Sequence, residues 1–93
     1  MEIKREAAEL LTKIKEYRPL IHHITNYVTM NDCANAVLAM GGSPIMAKDP
    51  AEAEEVAVMS KALVLNMGTP DNNNFISMLL AGKKSKEMKI PVI

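Results

Sequence analysis

Residues 20–48 read LIHHITNYVTMNDCANAVLAMGGSPIMAK, and the order of residue types in this stretch decides the fold class. Leu20 to Ile24 is a short, mostly apolar run of strand character. Thr25-Asn26-Tyr27-Val28 then forms a loop. Thr29 stands where a helix N-cap is expected, with Asp32 three residues on as an approximate capping box. The helix should run from about Met30 to Met40. Gly41-Gly42 ends it, because glycine takes the left-handed C-cap conformation without steric cost. Ser43 to Ala47 is a second strand. Two strands separated by a helix of about ten residues pair in parallel with a right-handed crossover.

The same alternation extends outward. Upstream, residues 3–17 carry Ile3, Ala7, Leu10, Leu11, Ile14 and Tyr17 on one helical stripe with Lys and Glu around it, which predicts an amphipathic helix. Arg18-Pro19 stops it, since a residue before proline avoids the helical region. Downstream, Asp49-Pro50-Ala51-Glu52 predicts a helix start, with Asp as N-cap and Pro first inside. That helix should reach about Lys61. Ala62 to Met67 is apolar almost throughout, as a strand covered on both faces would be. Gly68-Thr69-Pro70 turns into a fourth helix with Thr69 as N-cap. Phe75, Ile76, Leu79 and Leu80 are its expected apolar face. Lys83, Lys84, Lys86 and Lys89 suit the negative end of its dipole. Ile90 to Ile93 begins a fourth strand. The expected fold is α/β, with alternating helices and strands and a parallel sheet. Ile93 falls inside an apolar run with no turn or polar tail, so residues 1–93 are expected to be part of a longer domain, truncated in a strand.

Composition narrows the function. A chain of 93 residues is room for one domain and buries about 60–65% of its unfolded surface. Lys plus Arg is 11 and Asp plus Glu is 11, so no global field attracts nucleic acid. Aromatics at 3% are too few for a base-stacking platform. No apolar stretch could span a bilayer, and the charged N-terminus has no secretory h-region. One cysteine, Cys33, cannot form an internal disulfide. No nucleic acid, no membrane and a cytoplasmic location are expected. Charge is uneven: residues 2–18 carry nine charges, while only Asp32 lies between Arg18 and Lys48. That stretch suits a core, a subunit contact or the surround of an uncharged ligand.

In an open α/β sheet, ligands sit beyond the carboxyl ends of the strands. Those ends are Thr25-Asn26, Met46-Ala47 and Asn66-Met67-Gly68-Thr69, and parallel strands should bring them to one rim. Asn26 offers an amide donor and acceptor there, or is a turn residue bonded to its own backbone. Met46 is core filling, or a polarizable side chain against a flat ring. Gly68 with Thr69 is a weak candidate for meeting an anion. His22 and His23, adjacent on a strand, point to opposite faces and cannot chelate one ion together. Cys33 lies in the first turns of a helix, where a thiolate is favoured, but has no second cysteine for a zinc pattern. Neither a Rossmann fingerprint nor a P-loop occurs. These residues by themselves give a small-molecule rim and no reaction.

The run I-T-N-x-V-T-x-N-x-x-A-N from Ile24, followed by G-x-S-P-x-M-A from Gly41, closely resembles the signature of the hydroxyethylthiazole kinases. Residues 62–69 and 79–93 resemble that family's next segments in order, and the resemblance covers about residues 3–93. It implies the N-terminal part of a ribokinase-like three-layer fold and a homotrimer. The implied reaction is thiamine salvage: transfer of the ATP γ-phosphate to the hydroxyl of 4-methyl-5-(2-hydroxyethyl)thiazole, with Mg2+. It also implies substrate-binding roles for Met46 and Asn26 in a pocket at a subunit contact. The family's metal-proximal aspartate, its ATP-contacting residues and its active-site cysteine would all follow Ile93. Cys33 matches none of these, and the 93 residues alone are expected to be inactive. The opposing expectation is a non-enzymatic small-molecule-binding or assembly domain.

Overall fold

β1 (Leu20–Ile24) is the middle strand of a three-stranded sheet in the order β2-β1-β3. The computed structural model describes residues 2–68 and 72–93. In chain order the elements are α1 (Glu2–Tyr17), β1, α2 (Tyr27–Met40), β2 (Ser43–Ile45), α3 (Pro50–Met59), β3 (Ala62–Leu65) and α4 (Asn72–Glu87). Both pairings are parallel: Leu20 is level with Ser43 and His22 with Ile45 on one side, and Ile21 with Ala62 and Ile24 with Leu65 on the other. The expected α/β alternation with a parallel sheet is what the chain adopts. The stretch after Ile90 pairs with β3 in parallel through a single bridge between Leu63 and Val92. Leu63 N donates to Pro91 O at 2.9 Å, and Leu65 N donates to Ile93 O at 2.8 Å.

Local chemistry sets the helix ends. Asp49 caps α3 through its carboxylate, which accepts from Ala51 N at 2.9 Å, and Pro50 opens the helix. Gly41 ends α2 at φ 99°, with its amide bonded to Leu38 O and Gly42 N bonded to Val37 O. A Cβ on Gly41 would lie 2.8 Å from Lys15 Cγ and 2.9 Å from Lys15 Cα, so this glycine serves both the left-handed turn and the close approach of α1. Other expectations are corrected. The N-cap of α2 is Asn26, not Thr29, and the helix begins at Tyr27. Arg18 does not take the extended conformation expected before proline. It sits at φ 47°, with its amide bonded to Ile14 O at 2.8 Å, closing α1. The expected cap of α4, Thr69, lies outside the described residues. β2 and β3 stop at Ile45 and Leu65, two residues short of expectation.

The largest correction concerns α4. Phe75, Ile76 and Leu79, expected to face inward, are 49%, 47% and 60% exposed. The buried face is instead Asn74, Ser77, Met78, Ala81 and Ser85. The period is helical as expected, but the stripe is rotated by about one residue. Small residues let α4 lie close against α3, and two of its polar ones reach backbone carbonyls across the fold: Asn74 Nδ2 donates to Thr25 O at 3.3 Å and Ser77 Oγ to Lys48 O at 2.6 Å. A buried polar group so bonded carries little of the burial penalty that an unpaired one would.

The two faces of the sheet are covered unequally. Ile24, Leu63 and Leu65 pack with Ala53 and Ala57 of α3 and Met78 and Ala81 of α4 into the hydrophobic core. The opposite face, with Ile21, His23 and Val64, meets Ile14 of α1 and Cys33 and Val37 of α2 around an apolar cavity of about 380 Å³. α1 buries none of its residues fully.

Candidate functional site

Because the strands are parallel, the chain leaves all three at the same edge. Met46 follows Ile45, which is level with His22. Asn26 comes two residues after Ile24, which is level with Leu65. Met46, Asn26 and the segment after β3 therefore share one edge of the sheet, as expected for a rim. Met46 and Asn26 are both half-buried.

Asn26, Thr29 and Asn66 form one polar cluster. Asn26 Oδ1 accepts from Thr29 N at 2.9 Å and from Thr29 Oγ1 at 3.1 Å. A hydroxyl carries one hydrogen. With that hydrogen given to Asn26, Thr29 Oγ1 accepts from Asn66 Nδ2 at 3.3 Å and from the Thr25 hydroxyl at 2.7 Å. Asn66 N donates to Ile24 O at 3.0 Å, and Asn66 Oδ1 accepts from Gly68 N at 3.0 Å. The loop after β1 is thus tied to the loop after β3 through side chains. The turn-residue reading of Asn26 holds for its oxygen, which caps α2. Its amide nitrogen is the polar atom with which it can meet a ligand. Gly68 N, offered by the sequence as an anion contact, is engaged by Asn66, and the rest of that junction lies outside the described residues.

Sequence reasoning did not single out Asn66. The available signal was a polar residue placed directly after the apolar run Ala62–Leu65. It also missed the part of His22 beneath the rim. His22 is fully buried, and its Nε2 lies 2.7 Å from Ala47 O. A carbonyl can only accept, so Nε2 carries the hydrogen and Nδ1 is the bare nitrogen. That Nδ1 is buried without a partner among the described residues. Burial holds the His22 imidazole below its ordinary pKa, against the smaller opposing pull of the Ala47 bond and the Glu52 charge. His23, on the other face, is lowered by burial and then by His22. The two rings face opposite ways, as expected of neighbours on a strand. Cys33 is half-buried on α2 and lines the apolar cavity. Among the described residues no group of three or more His, Cys, Asp or Glu side chains is arranged to hold a metal ion.

A parallel sheet with helices on both sides is an α/β architecture of the ribokinase-like class. The model of the hydroxyethylthiazole kinase family matches residues 11–93, and the chain belongs to that family. It is 55% identical over 93 residues to a hydroxyethylthiazole kinase of Alkaliphilus oremlandii, covering all of this chain and 34% of that protein. It is 51% identical over 89 residues to one of Methanocella arvoryzae, covering 96% of this chain and 34% of the relative. Among solved structures, hydroxyethylthiazole kinase from Pyrococcus horikoshii OT3 superposes with a TM-score of 0.86 at 44% identity, over 90% of this chain and 33% of that one. The chain spans about a third of the length of the curated relatives it matches.

Proposed function

We propose that residues 1–93 supply part of the substrate side of a kinase that moves the γ-phosphate of ATP to the hydroxyl of 4-methyl-5-(2-hydroxyethyl)thiazole, a step of thiamine salvage. The observation that carries this reading is the family match across residues 11–93, which favours a kinase over a non-catalytic binding domain. In this proposal the thiazole ring lies against Met46, and Asn26 offers its amide nitrogen to the ring or the hydroxyethyl arm. A thioether suits the face or edge of a heteroaromatic ring because sulfur is polarizable. A rim with little charge of its own suits a neutral ligand. Such binding fixes the hydroxyl oxygen for in-line attack on the γ-phosphorus, with ADP leaving, and in phosphoryl transfer positioning is a large part of catalysis.

ATP and Mg2+ belong to the proposal but not to this stretch. The described residues provide no cluster of three or more His, Cys, Asp or Glu fit to hold the cation. The nucleotide and metal side is proposed to be formed by the two thirds of the relatives' length that this chain does not span. Residues 1–93 are proposed to be the N-terminal portion of one kinase domain, inactive by themselves. We further propose that the full enzyme is a cytoplasmic homotrimer with the ring bound at a subunit contact. No described helix is long and apolar enough to cross a membrane.

The test is Met46→Ala in the full-length protein, with titration calorimetry for both ligands beside a melting curve. Loss of sulfur–aromatic contact, about 0.3–1.5 kcal/mol, plus some apolar burial, should weaken thiazole binding and leave ATP binding nearly unchanged. Equal losses for the two ligands, tracking a fall in melting temperature, would make Met46 a core residue and remove it from the site.

A further inference from the structure

We infer that His22 and Ser77 are positioning residues for the substrate loop, holding Met46 at the rim by gripping the two backbone carbonyls that follow it. The inference rests on the proposed role of Met46. Met46 belongs to no strand or helix: β2 ends at Ile45 and α3 begins at Pro50. The carbonyls of the next two residues are each taken by a side chain from a different, distant element. His22 Nε2 of β1 donates to Ala47 O at 2.7 Å, and Ser77 Oγ of α4 donates to Lys48 O at 2.6 Å. Both donors are 0% exposed. Downstream, Asp49 O accepts from Glu52 N and Ala53 N at 3.0 Å each, so the chain is fixed again at the start of α3. Upstream, Ile45 is fixed in register with His22. Between those points, the two side chains hold the four-residue connection by its backbone.

Three features separate this from ordinary satisfaction of buried polar groups. The donors come from two elements far apart in sequence, His22 in β1 and Ser77 in α4. They engage successive carbonyls, which fixes the orientation of the peptide planes as well as their position. And α4 reaches the other arm of the rim by the same means, since Asn74, one turn before Ser77, donates to Thr25 O just ahead of Asn26. One helix face therefore sets the spacing between the Asn26 arm and the Met46 arm. Leucine at these two positions would add apolar burial to the core. A histidine and a serine hold the loop instead.

The experiment uses the full-length protein, with 4-methyl-5-(2-hydroxyethyl)thiazole and ATP as the varied substrates. Ser77→Ala and His22→Leu remove one donor each. His22→Gln keeps an amide nitrogen near the place of Nε2. The expected result for each donor-removing variant is a rise in the thiazole KM of about ten-fold, the scale of one buried hydrogen bond. The ATP KM should stay within about two-fold, and His22→Gln should recover most of the loss. Unchanged KM values, or equal rises for both substrates with only a lower melting temperature, would overturn the positioning role. If His22→Leu does not fold, Ser77→Ala decides alone, because it removes a single oxygen. Met46→Ala in the same series separates the failures. If it leaves the thiazole KM unchanged, the substrate-loop reading falls and this inference with it. If it raises that KM while the donor-removing variants do not, this inference alone falls.

Discussion

Substituting Leu79 and Met78 separately tests which face of α4 is the structural one. The two residues are neighbours in sequence, both large and apolar, and a sequence pattern would assign Leu79 to the core. Leu79 is 60% exposed, whereas Met78 is 4% exposed and touches the core of Ile24, Leu63, Ala53 and Ala57. Full burial of a leucine side chain stabilises by about 1.5–3 kcal/mol. With roughly two fifths of Leu79 covered, Leu79→Ala should cost no more than about 0.6–1.2 kcal/mol. Met78→Ala empties a closed site and should cost about 2–5 kcal/mol, transfer and cavity together. Folded chains have about 0.05–0.15 kcal/mol of stability per residue, so the second change removes a large share of what a 93-residue stretch carries and the first does not. Urea denaturation of the 93-residue chain, followed by circular dichroism, reads both changes as shifts in midpoint at constant slope. A loss for Leu79→Ala equal to or above that for Met78→Ala would refute the assignment of the inward face.

Two further outcomes are expected. Gly41→Ala forces a Cβ into a φ of 99° and against the Lys15 backbone, so it should cost about 1–2 kcal/mol for the left-handed conformation alone. It should also loosen α1, seen as faster amide exchange along residues 2–17, and unaltered exchange there would count against the close approach. His22 and His23 both have folded pKa values below the ordinary 6.5, so the unfolded chain binds more protons as pH falls. Stability from the neutral rings is fully present above about pH 6.5 and is lost as pH drops through the folded values. Midpoints measured between pH 7.5 and 5.5 check this, and His23→Phe should make the loss on acidification shallower. A flat profile would mean the rings are not buried neutral.

The alternation of strands and helices, the parallel sheet, the Asp49 and Gly41 caps and the edge shared by Asn26 and Met46 were all legible in the residues. Each is governed by local chemistry: side-chain period, proline and glycine geometry, and connection length. The inward face of α4 was not legible. Its choice depends on what faces the helix, and α3 and β1 admit small and hydrogen-bonding side chains there. The cap of α2 was missed for a related reason. Asn26 and Thr29 are both good caps locally, and Asn26 is chosen as Thr29 is drawn into bonds with Thr25 and Asn66, the latter 37 residues away. The grip of His22 on Ala47 and of Ser77 on Lys48 spans 25 and 29 residues. No local pattern encodes such a partnership, because the carbonyl it uses is common to every residue. The order of residue types sets which elements form and which side chains reach the rim. Which faces are buried, and which backbone groups the buried polar side chains hold, follows from the neighbours that folding brings together.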